Sequence, residues 1–380
     1  MKTPNLRDLD TPCLVLDVPK LDANIARMQR RLAGTGVVLR PHVKTCKSVE
    51  VAGRLFPQTG GVGPITVSTL QEAEYFAEAG FDDILYAVSI VPDKLARLAE
   101  VRQRGSSVHV VLDDPLVARQ IGVRADELDC ELSVLIELDC DGHRAGLPGN
   151  QSAEVVDVAR QIREAKRLQF AGVLTHAGES YLCQSTAAIR TAAEAERRCV
   201  VEIAETLEKA GLPCPIRSIG SSPTALLGGT LAGVSEMRAG VFVFQDLFQS
   251  NLGVCGVDEI ALSVLCTVIS HQRGKGWLIT DAGGLALSKD RGTADQQTDY
   301  GYGLVCDNDG SPLGEYMVDA ANQEHGIITN HAGPTDFDRF PIGSRLRILP
   351  NHACLTAAAH ERYYAIEGDW LAVWPRINGW

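Results

Sequence analysis

From Val37 to Phe244 short apolar runs alternate with segments of helical spacing. Eight runs recur: VVLRPHVK at 37–44, GPITVST at 63–69, DDILYAV at 82–88, SSVHVVLDD at 106–114, ELSVLIELD at 131–139, FAGVLTHAG at 170–178, IRSIGSSPT at 216–224 and EMRAGVFVF at 236–244. They are rich in β-branched residues and end in polar or glycine-bearing junctions, which marks strands. Between them Leu70 to Ala79, Pro92 to Arg104, Ser152 to Arg167 and Ser185 to Ala210 keep apolar residues on one face, as helices packed on a sheet do. The pattern predicts an α/β fold, a (β/α)8 TIM-type barrel over 18–246, with functional groups at the C-terminal strand ends. A doubly wound open sheet explains the alternation almost as well; the count of eight favours closure.

After Leu247 the helical segments disappear. EIALSVLCTVIS, GWLITDAG, EYMVDAANQEHGIIT, SRLRILPNHACLTAAA, RYYAI and WLAVWP read as strands, joined by turns at Gly274 to Gly276 and Asp307 to Gly310. They predict a C-terminal, mainly-β domain over 247–380. The N-terminal TPCLVLD precedes the first barrel helix and is assigned to the same domain, as residues 1–17.

A chain of 380 residues, 45% hydrophobic and 22% charged, can bury two sizeable cores, so disordered and fibrous classes drop out. Its net charge of −12 would be repelled by nucleic acid and by anionic membranes, and neither is expected as a partner. The start MKTPNLRDLDTPC lacks the apolar run of a secretory signal, and the expected location is the cytoplasm. Eleven scattered cysteines fit a reducing compartment; Cys13, Cys130 and Cys266 read as core filler.

Chemistry concentrates at strand ends. In RPHVKTCK, Lys44 and Lys47 flank Thr45 and Cys46, with Arg40 and His42 nearby, and such a cluster of cations favours the neutral amine that a Schiff base requires. A solvated basic strand end is the plainer alternative. SIGSSPT places Gly220, Ser221 and Ser222 at a turn into a short helix, suited to a phosphate held by backbone N–H groups and hydroxyls, with Gly240 and Val241 adding donors from strand eight. Arg144 follows strand five, Arg238 lies in strand eight, and His176 ends strand six with Tyr181 in its loop. His352 and Cys354 stand two apart in an apolar strand, which predicts both side chains on one face as a soft pair suited to zinc.

DTPCLVLD, LDANIARM and RPHVKTCKS together resemble the opening of the D-threonine aldolase and D-serine dehydratase family, which has the alanine racemase-like fold of pyridoxal 5′-phosphate (PLP) enzymes. The likeness continues through THAGESY, SIGSSPT, EMRAGVF, QEHG and PNHAC, over nearly the whole chain. It implies that Lys44 is the Schiff-base lysine, that His176 stacks on the cofactor ring and that Tyr181 contacts the cofactor. Arg238 aligns with the pyridine contact of alanine racemase, whereas in the aldolases the arginine after strand five, Arg144 here, takes that place. Cys46 stands where relatives more often have histidine.

The resemblance also makes His352 and Cys354 the metal pair, with zinc favoured by the ligands and manganese, cobalt or magnesium as alternatives. Matching aldolases tend to carry aspartate in place of Cys354. The implied activity is therefore dehydration of a β-hydroxy-D-amino acid, D-threo-3-hydroxyaspartate and/or D-serine, to a 2-oxo acid and ammonia by a homodimer. Retro-aldol cleavage to glycine and an aldehyde is the alternative. An amino-acid racemase or a non-catalytic PLP carrier ranks lower, because racemisation needs no metal and the carriers lack the second domain.

Overall fold

The computed structural model describes residues 6–142 and 144–380. Contacts divide it into two compact units, one from the described part of Met1–Arg27 with Val241–Asn378, the other from Met28–Gly240 with Gly379–Trp380. Helix Val18–Leu32 is shared between them. Residues 1–5 of the segment assigned above to 1–17 lie outside the described residues.

The larger unit holds a parallel sheet whose eight strands in series are Val38–Leu39, Ile65–Val67, Asp83–Ser89, Ser107–Leu112, Leu132–Asp139, Leu168–Thr175, Ile216–Ile219 and Glu236–Met237, with the two-residue strand Leu147–Pro148 pairing beside Leu132–Asp139. The eight in series are called strands one to eight below. Each pairs with its sequence neighbour from two to eight, and strand eight pairs with strand one. Beyond strand one, the Thr66 N–H donates to the Pro41 carbonyl at 2.8 Å and the Val43 N–H to the Thr66 carbonyl at 2.9 Å, which joins strand one to strand two. Each of the eight apolar runs contains a strand, as the alternation predicts, though VVLRPHVK and EMRAGVFVF are strand only over Val38–Leu39 and Glu236–Met237. Six of them are buried on both faces for much of their length, so their hydrophobicity is nearly continuous.

Helix starts follow from capping. The side chains of Thr69, Asp114 and Ser185 accept the orphan N–H groups of helices Leu70–Glu78, Pro115–Glu127 and Thr186–Lys209, and Pro115 occupies a first-turn position where no N–H is missed. No helix among the described residues is long and apolar enough to cross a membrane.

The smaller unit is built on one predominantly antiparallel sheet of nine strands. Cys13–Asp17 pairs antiparallel with Leu262–Gln272 and parallel with Arg362–Glu367. Two runs read above as single strands are divided. EYMVDAANQEHGIIT is a hairpin, Pro312–Ala321 against Gly326–Asn330, because Asn322 to His325 form the turn. SRLRILPNHACLTAAA is a strand only over Arg345–Leu349; Pro350 has no N–H to continue the ladder, and Ala353–Ala358 is a short helix. The prediction that His352 and Cys354 share a strand face is thereby corrected.

Candidate active site

In the barrel unit, loops after the strands gather most of the residues singled out from sequence. Lys44 is exposed in the turn after strand one, which closes with the Lys47 N–H donating to the Val43 carbonyl at 2.7 Å. Around His42 lie the charges of Lys44, Arg238, His176 and Arg144, in that order of effect. Burial first, and then these cations, hold the His42 imidazole far below its ordinary value, so it is neutral rather than a member of the expected cation cluster.

Arg40 is not at the mouth either. Its Nε donates to Glu236 at 2.5 Å and its Nη1 to Asp83 at 2.7 Å, a buried arrangement beside the first residues of strands eight and three. Strand one ends at Leu39, so Arg40 lies just past the strand while Lys44 lies beyond it in the Val43–Lys47 turn. Sequence proximity and shared parity concealed that difference in depth.

His176 follows strand six directly, and its Nδ1 donates to the carbonyl of Gly220, 2.8 Å away, since a carbonyl only accepts. Burial drives this imidazole down to about 3, with Arg144, Lys44 and Arg238 adding repulsion, so Nε2 keeps its lone pair at neutral pH. The ring of Tyr181, in the 3-10 turn Gly178–Leu182, lies 6.1 Å from the His176 ring.

The two arginines differ in commitment. Arg238 is buried, with Nη1 donating to Ser218 Oγ at 2.5 Å and Nη2 to the Thr175 carbonyl at 2.7 Å. Arg144 is exposed, with its Nη2 3.7 Å from Glu137 Oε1.

Gly220 has φ of +140° and no room for a Cβ, which would sit 1.9 Å from the Arg238 carbonyl oxygen. Its N–H donates to Glu196, and that of Ser221 to Thr224 Oγ1. Ser221 Oγ caps helix Ser222–Leu227 and bonds Ser180 Oγ at 2.8 Å, while Ser222 is buried at the helix start. A Cβ on Gly240 would lie 2.8 Å from both the His42 carbonyl oxygen and Thr45 Oγ1, so only glycine passes behind the lysine turn; Val241 begins the 3-10 turn Val241–Val243. Amine, flat neutral imidazole, arginine and hydroxyl-rich turn fit PLP in kind.

In the other unit His352 is the N-cap of helix Ala353–Ala358 and Cys354 lies in its first turn. The two side chains nevertheless meet through a hydrogen bond. Burial pushes the His352 imidazole down, but hydrogen bonds to Asp290 and Cys354 outweigh it and lift it to about 11. Asp290 accepts from Nδ1 at 2.8 Å, and Asp246 accepts the Ala353 N–H at 3.0 Å. An imidazole oriented by a carboxylate beside a thiol fits a divalent metal, zinc first, once the proton on the other ring nitrogen leaves.

Sequence reasoning missed Asp290, Asp246 and Glu196. The acids at 246 and 290 are more than 60 residues from the pair they support, and no periodic signal joins them to it. Cys46, by contrast, is buried with its thiol toward the Val43 and Ser48 carbonyls.

Residues 16–247 match the family model of the alanine racemase N-terminal domain, and residues 261–366 match that of a putative serine dehydratase domain. The chain is 47% identical over 379 residues to D-threo-3-hydroxyaspartate dehydratase of Delftia sp. (strain HT23), covering 99% of each chain. It is 32% identical over 382 residues to D-serine dehydratase of Dictyostelium discoideum, covering 96% of this chain and 95% of that one. Among solved structures, a cysteine-to-alanine mutant of D-threo-3-hydroxyaspartate dehydratase in the metal-free form aligns with a TM-score of 0.96 at 46% identity, over 100% of both chains.

Proposed function

We propose that this chain, which belongs to the alanine racemase-like family with a serine dehydratase domain, is a PLP- and divalent-metal-dependent dehydratase that eliminates water from a β-hydroxy-D-amino acid. D-threo-3-hydroxyaspartate and D-serine are the substrates assigned to it, and a 2-oxo acid and ammonia are the products. The observation that carries this reading is the His352–Cys354 pair held by Asp290 within the segment that matches the serine dehydratase domain.

Residues 18–246 form the cofactor-binding barrel in this reading, with 1–17 and 247–380 as the domain that supplies the metal ligands. PLP, when bound, withdraws electrons from the substrate α-carbon. Lys44 Nζ would hold the cofactor covalently and would serve as the base toward the substrate α-proton. Arg144 would hold the pyridine nitrogen, because the Arg238 guanidinium is already committed to Ser218 and Thr175. The neutral His176 ring and Tyr181 would flank the cofactor, and Ser222, Gly240 and Val241 would receive its phosphate, because the Gly220 and Ser221 N–H groups expected for it are already given to Glu196 and Thr224.

Hydroxide is a poor leaving group, and elimination needs a proton donor or a Lewis acid on the β-oxygen. A divalent metal, zinc by preference, would supply Lewis acidity. Nε2 of His352 and the Cys354 thiolate would hold it, and two protein ligands would leave positions for water and substrate. A homodimer in a reducing cytoplasm completes the proposal; eleven free cysteines suit that compartment.

Product analysis decides between dehydration and retro-aldol cleavage. Purified protein is incubated with D-threo-3-hydroxyaspartate, D-serine and D-threonine. Oxaloacetate and ammonia from the first, with little glycine or glyoxylate, are expected. Glycine and acetaldehyde from D-threonine as the fastest reaction would overturn the dehydratase in favour of the aldolase.

A further inference from the structure

Glu196 has no part in the reading above. It lies on helix Thr186–Lys209 between Ala195 and Arg197, where the sequence suggests a solvated position, yet it is fully buried. An acid carried into a protein interior is costly unless it is hydrogen-bonded, so its contacts need accounting for.

Those contacts are specific. Glu196 Oε1 accepts the Ala177 N–H at 2.9 Å and the Gly220 N–H at 3.0 Å. Ala177 follows His176 in the chain, and Gly220 opens the turn after strand seven. The two segments are also tied directly, by His176 Nδ1–H on the Gly220 carbonyl. One carboxyl oxygen therefore closes a ring of hydrogen bonds through the loop after strand six and the turn after strand seven. Removing that oxygen frees two buried N–H groups at once and leaves the His176–Gly220 bond as the remaining member of the ring.

We propose that Glu196 is a positioning residue that fixes the His176 ring relative to the turn Gly220–Ser222 and so sets the affinity and orientation of the bound cofactor. The inference rests on the PLP reading and assigns a task to a residue that touches neither cofactor nor substrate. Burial pushes the Glu196 carboxyl up, against the Ala177, Thr224 and Gly220 hydrogen bonds and the Arg238 charge. A neutral side chain with the same acceptor oxygen is thus the conservative replacement.

The test compares holoenzyme of the wild type, Glu196→Gln, Glu196→Leu and Ala177→Pro. The readouts are the PLP dissociation constant, from absorbance after dialysis, and the visible circular dichroism of the bound cofactor, which reports ring orientation. Glutamine keeps an oxygen for both N–H groups, and affinity within about threefold of wild type is expected. Leucine leaves both unmet, and a loss of at least about tenfold with an altered dichroism band is expected. Ala177 has φ of −74°, which proline adopts, so Ala177→Pro deletes one of the two N–H donors while Glu196 remains. Its affinity should fall between those of the glutamine and leucine proteins.

Wild-type affinity and dichroism in Glu196→Leu overturn the inference, as does a glutamine protein as weak as the leucine one. Where the leucine protein does not fold, an unchanged constant and band in Ala177→Pro overturn it. Wild-type protein that holds no PLP overturns the cofactor reading and this inference together, whereas a wild type that holds PLP beside variants that hold it equally well overturns the inference alone.

Discussion

Nδ1 of His352 lies 2.8 Å from Oδ2 of Asp290, and a carboxylate can only accept, so the hydrogen of that contact sits on Nδ1. The contact fixes which nitrogen is left to coordinate. Asp290 keeps its carboxyl below the usual range through the same bond, so it stays an anion and a firm orienting partner.

Asp290→Ala is therefore expected to weaken metal binding about 10- to 100-fold, the usual effect of losing such an orienting partner. Competition against a chromophoric chelator measures it. PLP content should not change. Chelation of the wild type should likewise abolish turnover with the visible cofactor band intact, and metal add-back should restore turnover. Full activity in metal-free His352→Ala protein contradicts the assigned role.

Lys44 is the expected covalent anchor. Wild-type protein should absorb in the visible range and become irreversibly labelled on borohydride reduction at a peptide containing Lys44. Lys44→Ala should lose both properties. Retention of the label after denaturation and dialysis in that variant moves the anchor elsewhere.

Stability should fall on acidification through His176. Its folded-state value is depressed to about 3, while the unfolded imidazole titrates near 6.5. Between those values the unfolded chain binds the extra proton, so the free energy of unfolding declines as pH drops below about 6.5, by up to about 1.4 kcal/mol per unit for this one group. Relative to His176→Gln, the wild type should lose stability from pH 7 to pH 5 in denaturant titrations. Parallel curves for the two proteins are the contrary result.

The barrel was legible because parallel strands buried on both faces give unbroken apolar runs, as in VLIEL of strand five. Continuous hydrophobicity also misled. RILPNHACL reads as one strand until Pro350 is weighed as a missing donor, and a helix of one and a half turns is too short to show a period. Depth was equally hard to read. Arg40, His42 and Lys44 read as alternate positions of one strand, but the strand ends at Leu39 and Lys44 lies in a turn, so the reading said nothing of the depth each side chain reaches. Glu196 looks like any exposed helical acid, because its partners are backbone N–H groups of distant loops and leave no mark in composition.

The second lysine of RPHVKTCK has a distinct fate that yields a last prediction. Lys47 closes the turn carrying Lys44 with φ of +46°, a left-handed conformation that costs a non-glycine residue about 1–2 kcal/mol. Its Nζ reaches Glu72 Oε1 at 3.2 Å, and Glu72 is fully buried while also accepting from the Ser68 N–H at 2.8 Å and Oγ at 2.9 Å. The ion pair thus opposes the backbone strain and ties the lysine turn to the start of helix Leu70–Glu78. Lys47→Met removes the cation and leaves a buried carboxylate with only its Ser68 partners, and a loss of about 3–5 kcal/mol is expected. Glu72→Gln alone leaves a lysine with partial access to water, which is the smaller penalty. Lys47→Met with Glu72→Gln removes the stranded charge and should recover part of the loss, with a coupling of about 1–3 kcal/mol in a double-mutant cycle of denaturant unfolding. Strict additivity of the two single changes would show that Lys47 and Glu72 are neighbours without being partners, and the turn would then owe its shape to the Val43–Lys47 backbone bond alone.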